Sequence, residues 1–165
     1  MIEVRKALFE DYNIIREIAD RTWYTTYLSI LSSEQLDYML EMMYSPAAFS
    51  EQILIKNHHF LLASENGNIL GFASYELNYH TETAKVHKLY VVPEAQGKGV
   101  GQKLLSVIEH EALKNNNDKI VLNVNRFNKA VNFYKKAGFE KAGEEDINIG
   151  NGYLMEDFIM KKELV

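Results

Sequence analysis

The sequence contains no cysteine. That excludes a disulfide scaffold, a thiolate metal site and a covalent cysteine mechanism, and it fits a reducing cytoplasm. Basic residues are in the minority, with 18 Lys and Arg against 23 Asp and Glu and a formal net charge of −5. The longest basic runs are pairs, Lys135-Lys136 and Lys161-Lys162. Phosphate backbones need a concentrated basic surface, so no nucleic-acid partner is expected. An acidic balance instead suits cationic small substrates. No apolar run approaches about 18 residues, and Met1-Ile2-Glu3-Val4-Arg5-Lys6 lacks the apolar core of a signal peptide. The expectation is a soluble cytoplasmic protein with no membrane partner. Only two prolines occur, glycines gather at short turns, and no low-complexity linker or repeat divides the chain. A single domain over residues 1–165 follows.

What is present is a change of period along the chain. Ile2 to Lys6 alternate like a strand, and Asp11 is placed to cap a helix carrying Ile14, Ile15 and Ile18 toward Trp23 and Tyr27. Ser32 followed by Gln35 has capping-box spacing before Leu36, Leu40 and Met43. Ser45-Pro46 reads as a cap with proline at the first helical position, opening a short helix to about Lys56. His59–Ser64 and Ile69–Leu77 flank Asn66-Gly67, a pair that tolerates positive φ and signals a hairpin. Lys85–Val92 is a third such strand, stopped by Pro93. Gly99–Asn115 carries the apolar stripe of a helix, Lys119–Val124 is a central strand, and Asn128–Ala137 is a helix closed by Gly138. Glu140–Ile149 and Tyr153–Lys161 are the final strands. The order predicts an α/β (α+β) fold: a mixed sheet with helices on its faces.

The segment Leu89-Tyr90-Val91-Val92-Pro93-Glu94-Ala95-Gln96-Gly97-Lys98-Gly99-Val100-Gly101 is a strand, a glycine turn and the start of an amphipathic helix. Glycines there let backbone N–H groups converge on a ligand, and the helix N-terminus favours an anion. Lys98 and Lys103 add positive charge. The segment lacks the Gly-Lys-Ser/Thr of a Walker A loop. Its glycines are also spaced two apart, which fails the dinucleotide fingerprint.

Gln96-x-x-Gly99-x-Gly101 after that strand resembles the acetyl-CoA signature of the GNAT acetyltransferase superfamily. Asn125-Arg126-Phe127-Asn128-Lys129-Ala130 and Phe133-Tyr134-Lys135-Lys136-Ala137-Gly138-Phe139 resemble its second cofactor segment. The resemblance implies a twisted, mostly antiparallel sheet of about seven strands with a splay between the fourth and fifth. It implies acetyl-CoA as co-substrate, with the backbone of Leu89, Tyr90 and Val91 beside the pantetheine arm. Gln96, Gly97, Lys98, Gly99, Val100 and Gly101 would lie at the pyrophosphate, Asn128 would hydrogen-bond the cofactor, and Phe133 would pack near it. Tyr134 sits where relatives place the acid for the departing thiolate, and a phenol with a pKa near about 10 can donate at neutral pH. A homodimer is implied by resemblance alone.

His87 is the leading candidate for the base, since period-two alternation puts it on the strand face of Leu89. Glu76, Glu82 and an ordered water stay open. His58, His59, His80 and His110 lack ligand spacing on one element, so no metal is expected. Trp23, Tyr24 and Tyr27, with Glu34, Asp37 and Glu41 nearby, are candidates for an acceptor pocket suited to a cation. The same aromatic stripe equally describes a helix's buried face. The N-terminal half and the stretch Asn148 to Asp157 look similar to polyamine acetyltransferases, which implies a small amine as acceptor. A peptide amine as acceptor, or a non-catalytic CoA-binding module, are the alternatives.

Overall fold

In the computed structural model, which describes residues 1–165, an edge strand β1 (Glu3–Lys6) precedes three helices, α1 (Tyr12–Tyr27), α2 (Ser33–Tyr44) and α3 (Pro46–Leu54). Side-chain caps start two of them. Ser32 accepts from the Gln35 N–H and Ser45 from the Ala48 N–H, with Pro46 opening α3. Each cap satisfies an amide that a helix start leaves without a partner. The return arm of the capping box does not form. Gln35 Nε2 donates instead to the Leu154 carbonyl at 3.0 Å, tying α2 to the end of the chain. Asp11 does not cap α1 either. A 3-10 turn at Phe9–Asp11 re-aims it, and its carboxylate accepts from the Leu8 N–H at 2.7 Å and pairs with Arg5 at 2.8 Å.

Strands β2 (His59–Glu65) and β3 (Asn68–His80) form the expected hairpin, with φ of 52° at Asn66 and 81° at Gly67. There follow β4 (Thr83–Val91), α4 (Val100–Lys114), β5 (Lys119–Asn125), α5 (Ala130–Lys136), β6 (Glu140–Gly150) and β7 (Tyr153–Glu163). Helix α5 starts at Ala130 rather than Asn128: Lys129 is its N-cap, and Asn128 closes the preceding turn, its Oδ1 accepting the Ala130 N–H at 2.9 Å. No helix is long and apolar enough to cross a membrane.

The seven strands form one sheet in the order β1-β2-β3-β4-β5-β7-β6. Every neighbouring pair is antiparallel except β4–β5. That parallel ladder runs only from Thr83↔Lys119 to Val86↔Leu122. Beyond it β4 is held by β3 alone and β5 by β7 alone, so a wedge opens between them.

Residues that pair across strands share a face. Phe60, Phe72 and Tyr90 face α1–α3, with ring contacts Phe49–Phe60 at 4.9 Å, Tyr44–Phe72 at 6.1 Å and Trp23–Tyr90 at 5.7 Å. Helix α4 covers the opposite face. It approaches β3 so closely at Gly71 that a Cβ there would lie 3.4 Å from Val100 Cγ1 and 2.7 Å from the Tyr90 carbonyl oxygen. The wedge is therefore framed by α4 and α5 on one side and by α1 on the other.

Candidate active site

The turn between β4 and α4 leaves a row of amides without acceptors. Pro93–Ala95 form a 3-10 turn, after which Gly97 and Gly99 take φ of +81° and +86°. The Gln96 and Lys98 N–H groups are used within the turn, at 3.3 and 3.4 Å, and the next amide with a partner is Lys103, bonded to the Gly99 carbonyl at 3.0 Å. The N–H groups of Gly97, Gly99, Val100, Gly101 and Gln102 have none in the protein. A Cβ at Gly97 or Gly99 would meet nothing within 4 Å, so the space before these donors is open. Lys98 is exposed beside them. Converging amides at the start of a 15-residue helix suit a pair of phosphates. Gly101 serves packing: a Cβ there would lie 3.1 Å from Phe133 Cζ, so α5 rests on the first turn of α4.

The wedge edge of β4 supplies further main-chain groups. Val92 donates to the Leu70 carbonyl at 2.9 Å, toward β3. Backbone groups alternate sides along a strand, so those of Leu89 and Val91 point into the wedge. Gln96 Nε2 bridges back to the Val91 carbonyl at 3.2 Å, which leaves the Val91 N–H. The side chain of Tyr90 belongs to the opposite wall, against Trp23 and Phe72.

Four phenols gather around the wedge from four elements: Tyr27, Tyr44, Tyr90 and Tyr134. Burial pushes each hydroxyl above its ordinary value, and Tyr90 is raised further by Tyr27, Tyr44 and Tyr134. Tyr134 is buried on α5 between Phe133 at 5.3 Å and Phe139 at 5.7 Å. Asn128 Nδ2 donates to the Tyr27 hydroxyl at 3.2 Å, so with Oδ1 accepting from the Ala130 N–H both ends of its carboxamide have protein partners.

Trp23, Tyr24 and Tyr27, the candidates for the acceptor pocket, divide between two environments. At 3.6 residues per turn, positions 23 and 27 share a helix face and 24 is turned away. Trp23 and Tyr27 are buried core residues, with rings 5.1 Å apart. Tyr24 opens onto a separate surface cleft with Asp20, Asp37 and Glu41, and its hydroxyl bonds Asp37.

His87 also departs from expectation. The β3–β4 register slips at Ser74/Tyr75, so Val86 pairs with Tyr75, Lys88 pairs with Ser74, and His87 is the unpaired extra residue. A bulge breaks the alternation. His87 thus leaves the face of Leu89 and meets Glu76, with Nε2 2.9 Å from Oε1, while its ring stacks on His58 at 3.9 Å. His58 Nε2 is 3.5 Å from the same oxygen. Ligand-capable atoms of His58, Glu76 and His87 all fall within 4.8 Å of one another, a grouping drawn from three elements that linear spacing does not reveal. Glu76 favours a charged ring, but burial, His58 and the lysines Lys85 and Lys88 hold His87 down at about 2, and burial and Lys88 hold His58 at about 4. Both imidazoles are neutral at pH 7. With Nε2–H donated to Glu76, Nδ1 of His87 is the accepting nitrogen.

Lys88 had no place in the sequence reading. It is 8% exposed, bonded to Gln52 at 3.0 Å and set over the rings of Tyr44 and Phe60. Burial, then Lys56, lowers its pKa to about 7. Between that value and the unfolded one the unfolded chain binds more protons, so this residue's contribution to stability rises with pH. The melting-temperature gain of Lys88→Met over the native chain should be larger at pH 6.5 than at pH 9.5. A pH-independent difference would count against a buried ammonium.

The comparisons with known proteins agree with this geometry. Residues 27–163 match the family model described as an acetyltransferase (GNAT) domain. A spermidine N(1)-acetyltransferase of Thermoplasma acidophilum is 31% identical over 160 residues, covering 94% of this chain and 96% of its own. A 5-NmdU N-acetyltransferase of Pseudomonas phage PaMx11 is 31% identical over 145 residues, covering 87% and 91%. The crystal structure of a PaiA N-acetyltransferase from Thermoplasma acidophilum in complex with coenzyme A superposes with a TM-score of 0.83 at 29% identity, over 99% of both chains. The open amide row, the wedge beside it and these matches together place the chain in the GNAT family, as an N-acetyltransferase that uses acetyl-CoA.

Proposed function

We propose that the acetyl group passes by direct attack to the primary amine of a small molecule, with polyamines the first class to test. The observation that carries the reading is the row of unpartnered amides at the mouth of the wedge between β4 and β5. Its support in sequence is the 31% identity to a protein named as a spermidine acetyltransferase, together with the acidic balance of −5.

The amides of Gly97 to Gln102 and Lys98 hold the pyrophosphate, and the Leu89 and Val91 backbone pairs with the pantetheine arm as an added strand. This places the thioester in the wedge, where the Val91 N–H faces the acyl oxygen as it gains charge. The amine nitrogen attacks the thioester carbon, a C–N bond forms and the C–S bond breaks. The amine's proton leaves through His87 Nδ1. An imidazole held at about 2 does not keep that proton, so it acts as a relay to solvent. Tyr134 gives a proton to the departing sulfur.

A panel of spermidine, other alkylamines and N-terminal peptides, assayed by CoA release, tests the reading. Turnover of peptides with none of the small amines would transfer the assignment to protein acetylation.

A further inference from the structure

His58, Glu76 and His87 come from the residue before β2, from β3 and from the β4 bulge, three neighbours in one sheet. The strand ladders, with a bond from the His58 N–H to the Gln52 carbonyl at 2.8 Å, fix where each side chain starts. Both imidazoles turn Nε2 toward one carboxylate oxygen, Glu76 Oε1, at 2.9 Å from His87 and 3.5 Å from His58. His58 has the poorer share. It is 9% exposed, its Nε2 stands at the outer limit of a hydrogen bond, and its Nδ1 has no partner. Buried polar atoms are normally satisfied, so this ring lacks an interaction that its burial calls for. Glu76 pairs with no lysine or arginine: Lys88 bonds Gln52, and Lys85 bonds the Tyr79 hydroxyl.

Two imidazoles and a carboxylate are a donor set for a zinc-class ion, with the fourth position left to water. Calcium and magnesium take oxygen ligands instead. Bonds of about 2.0 Å at tetrahedral angles set ligand atoms about 3.3 Å apart. The separations of 2.9 and 3.5 Å bracket that spacing, and the three ligand atoms all lie within 4.8 Å of one another. The stacked rings are 14° from parallel, so closing on an ion asks each to tip its Nε2 edge toward the other. Glu76 and His87 remain partly exposed, which leaves an entry from solvent. We propose that His58 Nε2, Glu76 Oε1 and His87 Nε2 form a site for a zinc-class divalent ion, and that its occupation switches off acetyl transfer. The ion takes the place of the proton between His87 and Glu76. The single proton of the neutral His87 ring then sits on Nδ1, which no longer accepts one from the amine. The site stands on geometry alone, whereas the switch rests on the relay role of His87.

Titration of the metal-stripped full chain tests both parts. By calorimetry one Zn²⁺ should bind per chain, and Co²⁺ should develop the intense visible bands of a four-coordinate ion. Zn²⁺ should lower kcat with spermidine in step with occupancy and leave the KM for acetyl-CoA unchanged. His58→Phe keeps the stacked ring and removes a ligand that has no part in proton transfer. It should weaken Zn²⁺ binding by at least about 100-fold, more than the roughly 10- to 100-fold of a lost supporting contact. Its turnover in chelator should match that of the native chain and should no longer respond to Zn²⁺. Glu76→Gln, read by binding alone, should lose the ion in the same way, and the exposed His110→Ala should keep it. No binding by the native chain, or an affinity unchanged in both His58→Phe and Glu76→Gln, overturns the site; the second result means adventitious binding elsewhere. An ion that binds here and leaves kcat untouched overturns the switch and removes His87 from the relay, while the site stands. If the native chain acetylates peptides and not spermidine, the small-amine reading fails, and the same titrations with a peptide acceptor still decide for or against the site.

Discussion

Gly99→Val is expected to weaken acetyl-CoA binding by at least about 100-fold while leaving the domain folded. The backbone at Gly99 has φ of +86°, where a β-branched residue is strained. The added side chain meets nothing within 4 Å, so no clash propagates into the core. Relief comes instead from rotating φ to a negative value, which turns the Gly99 and Val100 N–H groups off the common point. Losing two charge-assisted bonds of roughly 1.5–3 kcal/mol each removes about 3–6 kcal/mol, hence the factor. Gly67→Val is the control. Gly67 has nearly the same φ, +81°, and an equally open Cβ direction, but it sits in the β2–β3 turn. It should lower melting temperature by a comparable amount and leave the acetyl-CoA Kd unchanged. Calorimetric titration of both variants decides. Native affinity in Gly99→Val, with circular dichroism unaltered, would remove the cradle from the account.

The features legible in the sequence were those encoded within a few consecutive residues. Glycine spacing dictated the turn at Gly97 and Gly99, Asn66-Gly67 dictated a hairpin, and Ser45-Pro46 dictated the start of α3, because each is a local backbone requirement. Misreadings came where tertiary structure overrides the local pattern. Asp11 has the right identity for a cap, yet Arg5 and Leu8 compete for its carboxylate more favourably. Alternation placed His87 with Leu89, but one inserted residue in the β3–β4 ladder reverses the face. Helical periodicity does separate Trp23 and Tyr27 from Tyr24; which of the two faces is buried depends on Tyr44 and Tyr90, distant in sequence.

Tyr134→Phe should lower kcat by about 100-fold, within the range of general acid catalysis, with little change in KM for acetyl-CoA. The hydroxyl is the only atom removed, and the ring contacts to Phe133 and Phe139 remain, so stability should move by no more than about 1 kcal/mol. The pH dependence distinguishes an acid from a packing residue. Burial and the neighbouring Tyr27 raise the Tyr134 pKa, so the phenol is protonated throughout the neutral and mildly alkaline range. A donor of this kind is fully competent below its pKa, and the native kcat profile should show no descending limb from this group up to about pH 10. A phenol at its ordinary value in an open site would begin to fail about one unit earlier. The variant should therefore lie below the native enzyme by a constant factor from pH 6.5 to 9.5. A native limb that rises with pH near 8.5 and disappears in Tyr134→Phe would mean that the phenol works as an ionised base, and the departing thiolate would need another proton source. His87 does not supply one, since an imidazole held at about 2 carries no proton to give at these pH values. Burial thus acts in opposite senses on the two groups proposed for proton transfer, favouring the neutral imidazole of His87 and the protonated phenol of Tyr134.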